Sequence, residues 1–284
     1  MKIGVSSYSF LTYMRNTQCG LKEVCRIAKE IGFEVIDFTD HEPTHGDLGA
    51  QAEELRAYCD EIGLEIGAIT VGTNFVTDEN AVADMCRYVD VAVKLGVKVM
   101  RFDVCGWLPP EADWKEAVEK IAPKIREVSS YAAKKGIRTC SENHGMVFQE
   151  PERMKYLLST VNDDNYGWLV DIGNFLCRDV DPATAVSEAV PYIVRAHVKD
   201  FLYRKAADYD FLPEGAIVIT SGGNWLRGTI LGHGDVAVAE CVKTLRKAGY
   251  EDTFTLEFEG PEDNLTALKH SCSYMKKLAA MPLN

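Results

Sequence analysis

Four short segments carry acidic or imidazole side chains directly after apolar or β-branched runs. They are Ser141-Glu142-Asn143-His144, Val170-Asp171-Ile172-Gly173-Asn174, Ala196-His197-Val198-Lys199-Asp200 and Leu256-Glu257-Phe258-Glu259. Glu142, Asp171, His197 and Glu257 would together offer three carboxylates and one imidazole, a donor set suited to one divalent ion. Mn²⁺ is the first choice, and Mg²⁺ or Co²⁺ would take the same donors. The spacing fits a repeating unit: Glu142 to Asp171 is 29 residues, Asp171 to His197 is 26, and His197 to Glu257 is 60. The first two intervals match one strand-helix unit, and the third matches one unit plus a long connection.

Those units run through the chain. Period-2 and period-3.6 patterns predict strands over residues 2–8, 33–38, 64–70, 97–102, 137–142, 168–171, 193–199 and 253–258. Helices are predicted over 21–31, 49–62, 80–95, 114–135, 151–159, 182–190, 236–248 and 264–279, several closed by glycine (Gly32, Gly63, Gly96, Gly136). Eight βα units without a linker favour an α/β fold, a single (β/α)8 TIM barrel spanning 1–284, over a doubly wound sheet. Residues 200–235 lack helical periodicity and contain Phe201, Tyr203, Tyr209, Phe211, Trp225 and Gly222-Gly223. Such a long connection after strand seven is expected to be an insertion that covers the active face as a lid.

Alternation along strands places Glu142 on one face with Cys140 and His144, and His197 with Arg195 and Lys199. Glu257 shares a face with Thr255 and Glu259, and Arg101 with Asp103. Lys199 could bind a substrate oxygen, donate a proton, or pair with Asp200 or Glu142. Arg101 is a candidate substrate clamp and Glu259 could orient a hydroxyl. Arg227 and His233 are expected as lid contacts to substrate. Trp107 and Phe10 could stack on a sugar or belong to the core.

Composition narrows the partners. The 284 residues carry a formal net charge of −12, which repels nucleic-acid backbones and anionic membranes and favours a small neutral substrate. Nine cysteines without a C-x-x-C pair read as reduced thiols. No apolar run approaches membrane-spanning length, and the strand-like start Lys2-Ile3-Gly4-Val5 does not resemble a signal peptide, so a soluble cytoplasmic protein is expected.

The order Glu, Asp, His, Glu on strands five to eight resembles the xylose isomerase-like barrel superfamily, over essentially the whole chain. Glu142-Asn143-His144-Gly145, His197-Val198-Lys199-Asp200, Gly232-His233-Gly234-Asp235 and Glu257-Phe258-Glu259-Gly260 are similar to segments of its broad bacterial members. The resemblance implies a metal-dependent isomerase or epimerase of a sugar, sugar derivative or cyclic polyol ketone, working by proton abstraction next to a carbonyl through a metal-stabilised enediolate. In the ketose 3-epimerases of the superfamily, the glutamates matching Glu142 and Glu257 hold the metal and also move protons on opposite faces of the substrate. This chain has Asn174 where those epimerases have a histidine. It has His144 where dehydratases of the superfamily place a general base. The alternative is therefore a lyase that eliminates a β-substituent, of the inosose or dehydroshikimate dehydratase kind or C-glycoside-cleaving, in the last case with a small partner subunit. A non-catalytic sugar-binding barrel is a third reading, and homo-oligomers are common among relatives. Endonuclease IV, a DNA-repair relative, gathers several histidines around zinc. His41 and His45 raise that comparison, but six histidines in all and a charge of −12 argue against it.

Overall fold

The computed structural model describes residues 1–40, 47–109, 111–208 and 217–283. His41, His45, Tyr209 and Phe211 lie outside these. Seven strands come first: β1 (Lys2–Ser6), β2 (Val35–Asp40), β3 (Glu65–Val71), β4 (Val99–Phe102), β5 (Arg138–Glu142), β6 (Tyr166–Asp171) and β7 (Ile193–Val198). Three more, β8 (Asp200–Arg204), β9 (Val218–Ile219) and β10 (Trp225–Thr229), precede β11 (Thr253–Leu256). Strands β1 to β7 and β11 close into one parallel barrel, with β11 between β7 and β1.

The outer ring is helical. α1 (Leu11–Thr17) and α2 (Leu21–Ile31) follow β1; α3 (Leu48–Ile62), α4 (Ala81–Leu95), α5 (Trp114–Ala133), α6 (Pro151–Val161) and α7 (Pro182–Ala189) follow β2 to β6 in turn. α8 (Val238–Lys247) and α9 (Asn264–Ala280) flank β11. Asp47, Asp113, Asp181 and Asp263 start helices by accepting backbone N–H bonds, which satisfies donors that have no partner inside the helix.

Two elements differ from the sequence expectation. The first strand stops at Ser6, whose hydroxyl accepts from the Tyr8 N–H and turns the chain into a 3-10 turn and then α1. Leu11 and Met14, three apart, bury that short helix, and its polar neighbours hid the pattern. Within 200–235, where the sequence shows only a lack of helical periodicity, β8, β10 and β9 form an antiparallel sheet outside the barrel.

Two aspartates tie this sheet down. The buried Asp200 carboxylate accepts from the backbone N–H groups of Phe201 (2.9 Å), Gly232 (2.8 Å), Gly234 (2.9 Å) and Val236 (3.1 Å), so both ends of the excursion close on one side chain. At the far side Asp179 accepts from Tyr203 Oη (3.0 Å), Asn224 Nδ2 (2.9 Å) and Gly222 N (2.7 Å).

The barrel interior departs from an all-apolar filling in one layer. Arg195 and Asp37, 2% and 0% exposed, form a bidentate pair (Nε–Oδ2 3.1 Å, Nη2–Oδ1 2.5 Å), and Thr255 Oγ1 donates to Asp37 Oδ2 at 2.7 Å. Gly67 on β3 makes room for the pair: a Cβ there would lie 2.5 Å from Asp37 Oδ1 and 2.6 Å from Val35 Cγ1. Gly67→Ala is expected to cost about 1–3 kcal/mol through overpacking, read as a lower urea midpoint. An unchanged midpoint would show that the pair can move aside.

Candidate metal centre and active site

The C-terminal ends of β5, β6 and β7 and the residue just after β11 deliver Glu142, Asp171, His197 and Glu257 to one place. One ligand atom from each lies within 4.8 Å of the others. Glu257 follows the last residue of β11, but its N–H bonds to Val198 O at 3.0 Å and keeps it on the barrel rim. Asn143 locks β5 to β6. Its amide donates to Asp171 O (2.8 Å), and its Oδ1 accepts from Trp168 Nε1 (3.0 Å) and Asp171 N (2.9 Å). Asn143→Ala would strand these buried groups at about 1–3 kcal/mol each. The expected result is a clearly lower melting temperature; parity with the parent would contradict it.

Each ligand is oriented by its own contacts. Glu142 pairs through Oε2 with Arg101 Nη2 at 2.8 Å and accepts from Asn174 Nδ2 through Oε1 at 2.9 Å. Asp171 Oδ1 accepts the N–H groups of Gly173 (2.8 Å) and Asn174 (3.0 Å). Lys199 Nζ sits 3.2 Å from Asp171 Oδ2, 2.8 Å from Glu257 Oε2 and 3.0 Å from Glu259 Oε1. Gly173 admits its stem, since a Cβ there would run into Lys199 Cγ.

The residues fit a divalent cation. His197 Nε2 is buried without a hydrogen-bond partner, and Asp171 Oδ2 and His197 Nδ1 are buried with one ion-pair contact each, 3.2 Å to Lys199 Nζ and 3.3 Å to Glu257 Oε1. Buried polar atoms left this thinly satisfied are costly unless something else binds them. Five carboxylates (Asp103, Glu142, Asp171, Glu257, Glu259) converge on two fixed cations, Arg101 and Lys199, and this imbalance calls for further positive charge.

The electrostatics separate the roles. Burial works against charge on Glu257, but Lys199 and His197 more than offset it and hold the carboxyl well below its usual range. Burial likewise opposes ionised Glu142, and Arg101, aided by His197 and His144, brings it below the ordinary value. Asp171 is pushed up to about 6, by burial first and by the charges of Glu142 and Glu257, against the pull of Lys199. Lys199 is raised well above its usual value despite burial, because Asp171, Glu257 and Glu259 surround it. Its ammonium is thus a permanent charge. It pairs with these three carboxylates, and the structure gives it no ion pair with Asp200 or Glu142.

The same groups border a cavity of about 240 Å³, lined by Tyr8, Thr39, Thr70, Arg101, Glu142, His144, Lys199, Glu257 and Glu259. Its volume lies below the ~300–1,000 Å³ typical of drug-sized ligand pockets and suits a compact molecule. His144 Nδ1 bonds to Asp103 Oδ1 at 2.9 Å, and Asp103 in turn pairs with Arg101 at 2.7 Å. Burial would lower the His144 pKa, but the Asp103 charge and hydrogen bond raise it above its usual value. A larger cavity of about 450 Å³ beside Phe75 and Leu108 shares no lining residue with this set.

Sequence-expected site residues divide accordingly. Arg101, Glu142, His144, Lys199, Glu257 and Glu259 line the cavity, and Asp171 and His197 lie among its ligand atoms. Arg227 instead bonds to Glu262 at 3.1 Å, and His233 is exposed on the turn that clasps Asp200. Phe10 is fully buried core, whereas Trp107 is 60% exposed. Tyr8, Thr39 and Thr70 were not legible as site residues. They come from β2, β3 and the turn after β1, and hydroxyls at strand ends are too common to signal a site by type.

The molecule is a closed parallel barrel that gathers a carboxylate-rich set of candidate metal ligands at the C-terminal ends of its later strands, the end where barrels of this kind carry their sites. The sequence model of the xylose isomerase-like TIM barrel family matches residues 25–278, and the chain belongs to that family. A search of curated proteins returned no significant match. Among solved structures, the probable 3-DHS dehydratase AsbF of Bacillus anthracis is similar over 97% of this chain and 99% of its own, at 18% identity and a TM-score of 0.75. A xylose isomerase-like TIM barrel protein of Mycobacterium smegmatis in complex with magnesium matches over 98% and 96%, at 20% identity and TM-score 0.71. D-psicose 3-epimerase of Clostridium cellulolyticum H10 matches over 99% of both chains, at 15% identity and TM-score 0.72.

Proposed function

We propose that the protein is a divalent-metal-dependent isomerase or epimerase of a sugar, sugar derivative or cyclic polyol ketone. The observation that carries this reading is the pair Glu142 and Glu257, both kept ionised, facing one small cavity with the His144–Asp103 dyad at its edge. Glu142, Asp171, His197 and Glu257 would hold the ion, Mn²⁺ by our assignment, whose charge stabilises negative charge developing on a carbonyl oxygen. Glu257 or Glu142, ionised, takes the proton next to the carbonyl; the other, once it has taken up a proton from water, delivers that proton to the opposite face, and the first gives its proton back to water to close the cycle. Arg101, whose buried Nε has no hydrogen-bond partner, clamps a substrate oxygen, and Glu259 accepts from a hydroxyl. Lys199 fixes Glu257 and Glu259 in place. The substrate is a small carbohydrate met in the cytoplasm, with homo-oligomers or a small partner subunit as the assemblies to look for. A covering role for the sheet of β8, β9 and β10 stays part of this proposal, although Arg227, the rest of that sheet and His233 do not line the cavity.

One observation favours the lyase as a second reading. Asn174 binds Glu142 but its amide cannot shuttle a proton, whereas His144, with Nδ1 engaged by Asp103, offers Nε2 as a base on one side only. One-sided proton removal suits β-elimination. Turnover of candidate keto sugars in D₂O separates the two. Deuterium in recovered sugar is expected for the isomerase or epimerase. An unsaturated ketone would move the assignment to the lyase, and no exchange at all with Mn²⁺ present would refute both.

A further inference from the structure

Trp107 is 60% exposed and Met146 46%, and both line one groove on the loops that follow β4 and β5. Large apolar side chains left open together usually meet a ligand or a partner. The same two loops carry Asp103 and His144, which bond to each other at the edge of the catalytic cavity. A few residues further out the loops are joined again. Met146 N donates to Gly106 O at 2.8 Å, and a Cβ on Gly145, at φ +70°, would lie 2.8 Å from Gly106 Cα. The backbones therefore touch without side chains between them, and the cavity wall continues outward into the groove, whose volume is about 350 Å³.

Trp107, Leu108, Trp114 and Met146 give the groove apolar sides, and Arg153 and Arg178 give it charge. Among the described residues, none that lines it is acidic. One carboxylate behind them serves both guanidiniums. Glu150 Oε1 accepts from Arg178 Nε at 2.7 Å, and its Oε2 lies 3.5 Å from Arg153 Nε. Arg153 also donates to Val147 O at 3.2 Å and lies 5.2 Å from the centroid of the Trp114 ring. Two positive charges against one negative make the groove attractive to an anion, in a chain whose net charge is −12. A guanidinium matches the paired oxygens of a carboxylate, and an open indole face accepts a flat apolar body. The catalytic cavity has the opposite character, since carboxylates dominate its lining. The shared loops set these two chemistries side by side.

We propose that the groove between the β4 and β5 loops receives the outer end of the substrate, and that this end is a flat apolar group bearing an anionic oxygen. Trp107 stacks on its face, and Arg153 and Arg178 bind its charge. The assignment to substrate rests on the catalytic reading given above, whereas the preference of the groove itself is measured without turnover.

The probe is 2-naphthoate, with 2-naphthalenemethanol as its neutral counterpart, each titrated calorimetrically into the parent protein. The acid is expected to bind at least about tenfold tighter than the alcohol, the scale of one hydrogen bond to a charged group. Arg153→Met should bring the acid to the affinity of the alcohol, and Arg153→Lys should keep part of the difference. Trp107→Ala should weaken both ligands about fivefold through lost stacking. Far-ultraviolet circular dichroism should be unchanged in all three variants. Equal affinities for acid and alcohol in the parent would overturn the inference, as would affinities of Arg153→Met and Trp107→Ala within about twofold of the parent. With Mn²⁺ bound, naphthoate protons should relax faster than with Mg²⁺, because the groove adjoins the catalytic cavity. Bound Mn²⁺ without faster relaxation would separate the groove from that cavity and overturn its assignment to substrate. Naphthoate binding through Trp107 and Arg153 in a protein that takes up no Mn²⁺ would refute the metal reading and support the preference of the groove.

Discussion

Glu257→Gln is expected to lower proton exchange at the substrate by at least about 10³-fold, near the upper range of what a positioned acid–base group contributes. The amide keeps the size of the side chain but removes its charge, and three contacts depend on that charge. Lys199 Nζ lies 2.8 Å from Oε2, His197 Nδ1 lies 3.3 Å from Oε1, and the carboxyl is one of four candidate ligands. The substitution therefore removes the base, weakens the ion and releases Lys199 toward Asp171 and Glu259 together. Glu257→Asp, one methylene shorter, serves as control. Retained metal with a rate still down by a large factor would show that placement of the carboxylate matters for the proton as well as for the ion. Exchange rates are measured by mass spectrometry in D₂O, and a Glu257→Gln rate within about tenfold of the parent would exclude this residue as a base.

Metal binding itself should stabilise the fold and vanish with its ligands. The parent protein is expected to hold about one divalent ion per chain, and both Glu142→Gln and His197→Ala to hold none after reloading with Mn²⁺. Ion at 100 times its dissociation constant adds about 2.7 kcal/mol to the folded state. For a chain of this size that is a rise in melting temperature on the order of 5 °C, at roughly 2 °C per kcal/mol. The two variants should show no rise. Glu142, Asp171, His197 and Glu257 bring one ligand atom each within 4.8 Å of the others, with His197 Nε2 buried without a hydrogen bond. Elemental analysis together with thermal melts checks both halves. An ion that stays bound in His197→Ala would place the centre elsewhere.

The barrel was legible because its signals are local. Each unit carries a short β-branched run, an amphipathic helix and, in several, a closing glycine such as Gly63 or Gly96 in the left-handed region. The gathering of Glu142, Asp171, His197 and Glu257 was legible for a related reason: charged residues at the ends of apolar strands, spaced by one unit, have few other places to go. What escaped was everything decided across the barrel. The partner of Arg195 is Asp37, 158 residues away, and no local pattern announces that pair. The same holds for Asp103 beneath His144 and for the three carboxylates around Lys199. The antiparallel sheet of the excursion after β7 escaped because β9 has only two residues, and β10 pairs with a strand more than twenty positions earlier.

The clasp at Asp200 has a consequence for how this protein can change. Because one carboxylate gathers Phe201, Gly232, Gly234 and Val236, the entrance and exit of the excursion stay together whatever lies between them. Doubling the length of a flexible loop costs only about 0.6 kcal/mol in closure entropy, so the intervening chain is a cheap place for insertion and deletion. The residue before the clasp is Lys199, whose ammonium is set among the carboxylates of Asp171, Glu257 and Glu259. Such an arrangement works like a socket: the excursion can be exchanged between relatives, or by a protein engineer, while the charge network beside it keeps its register.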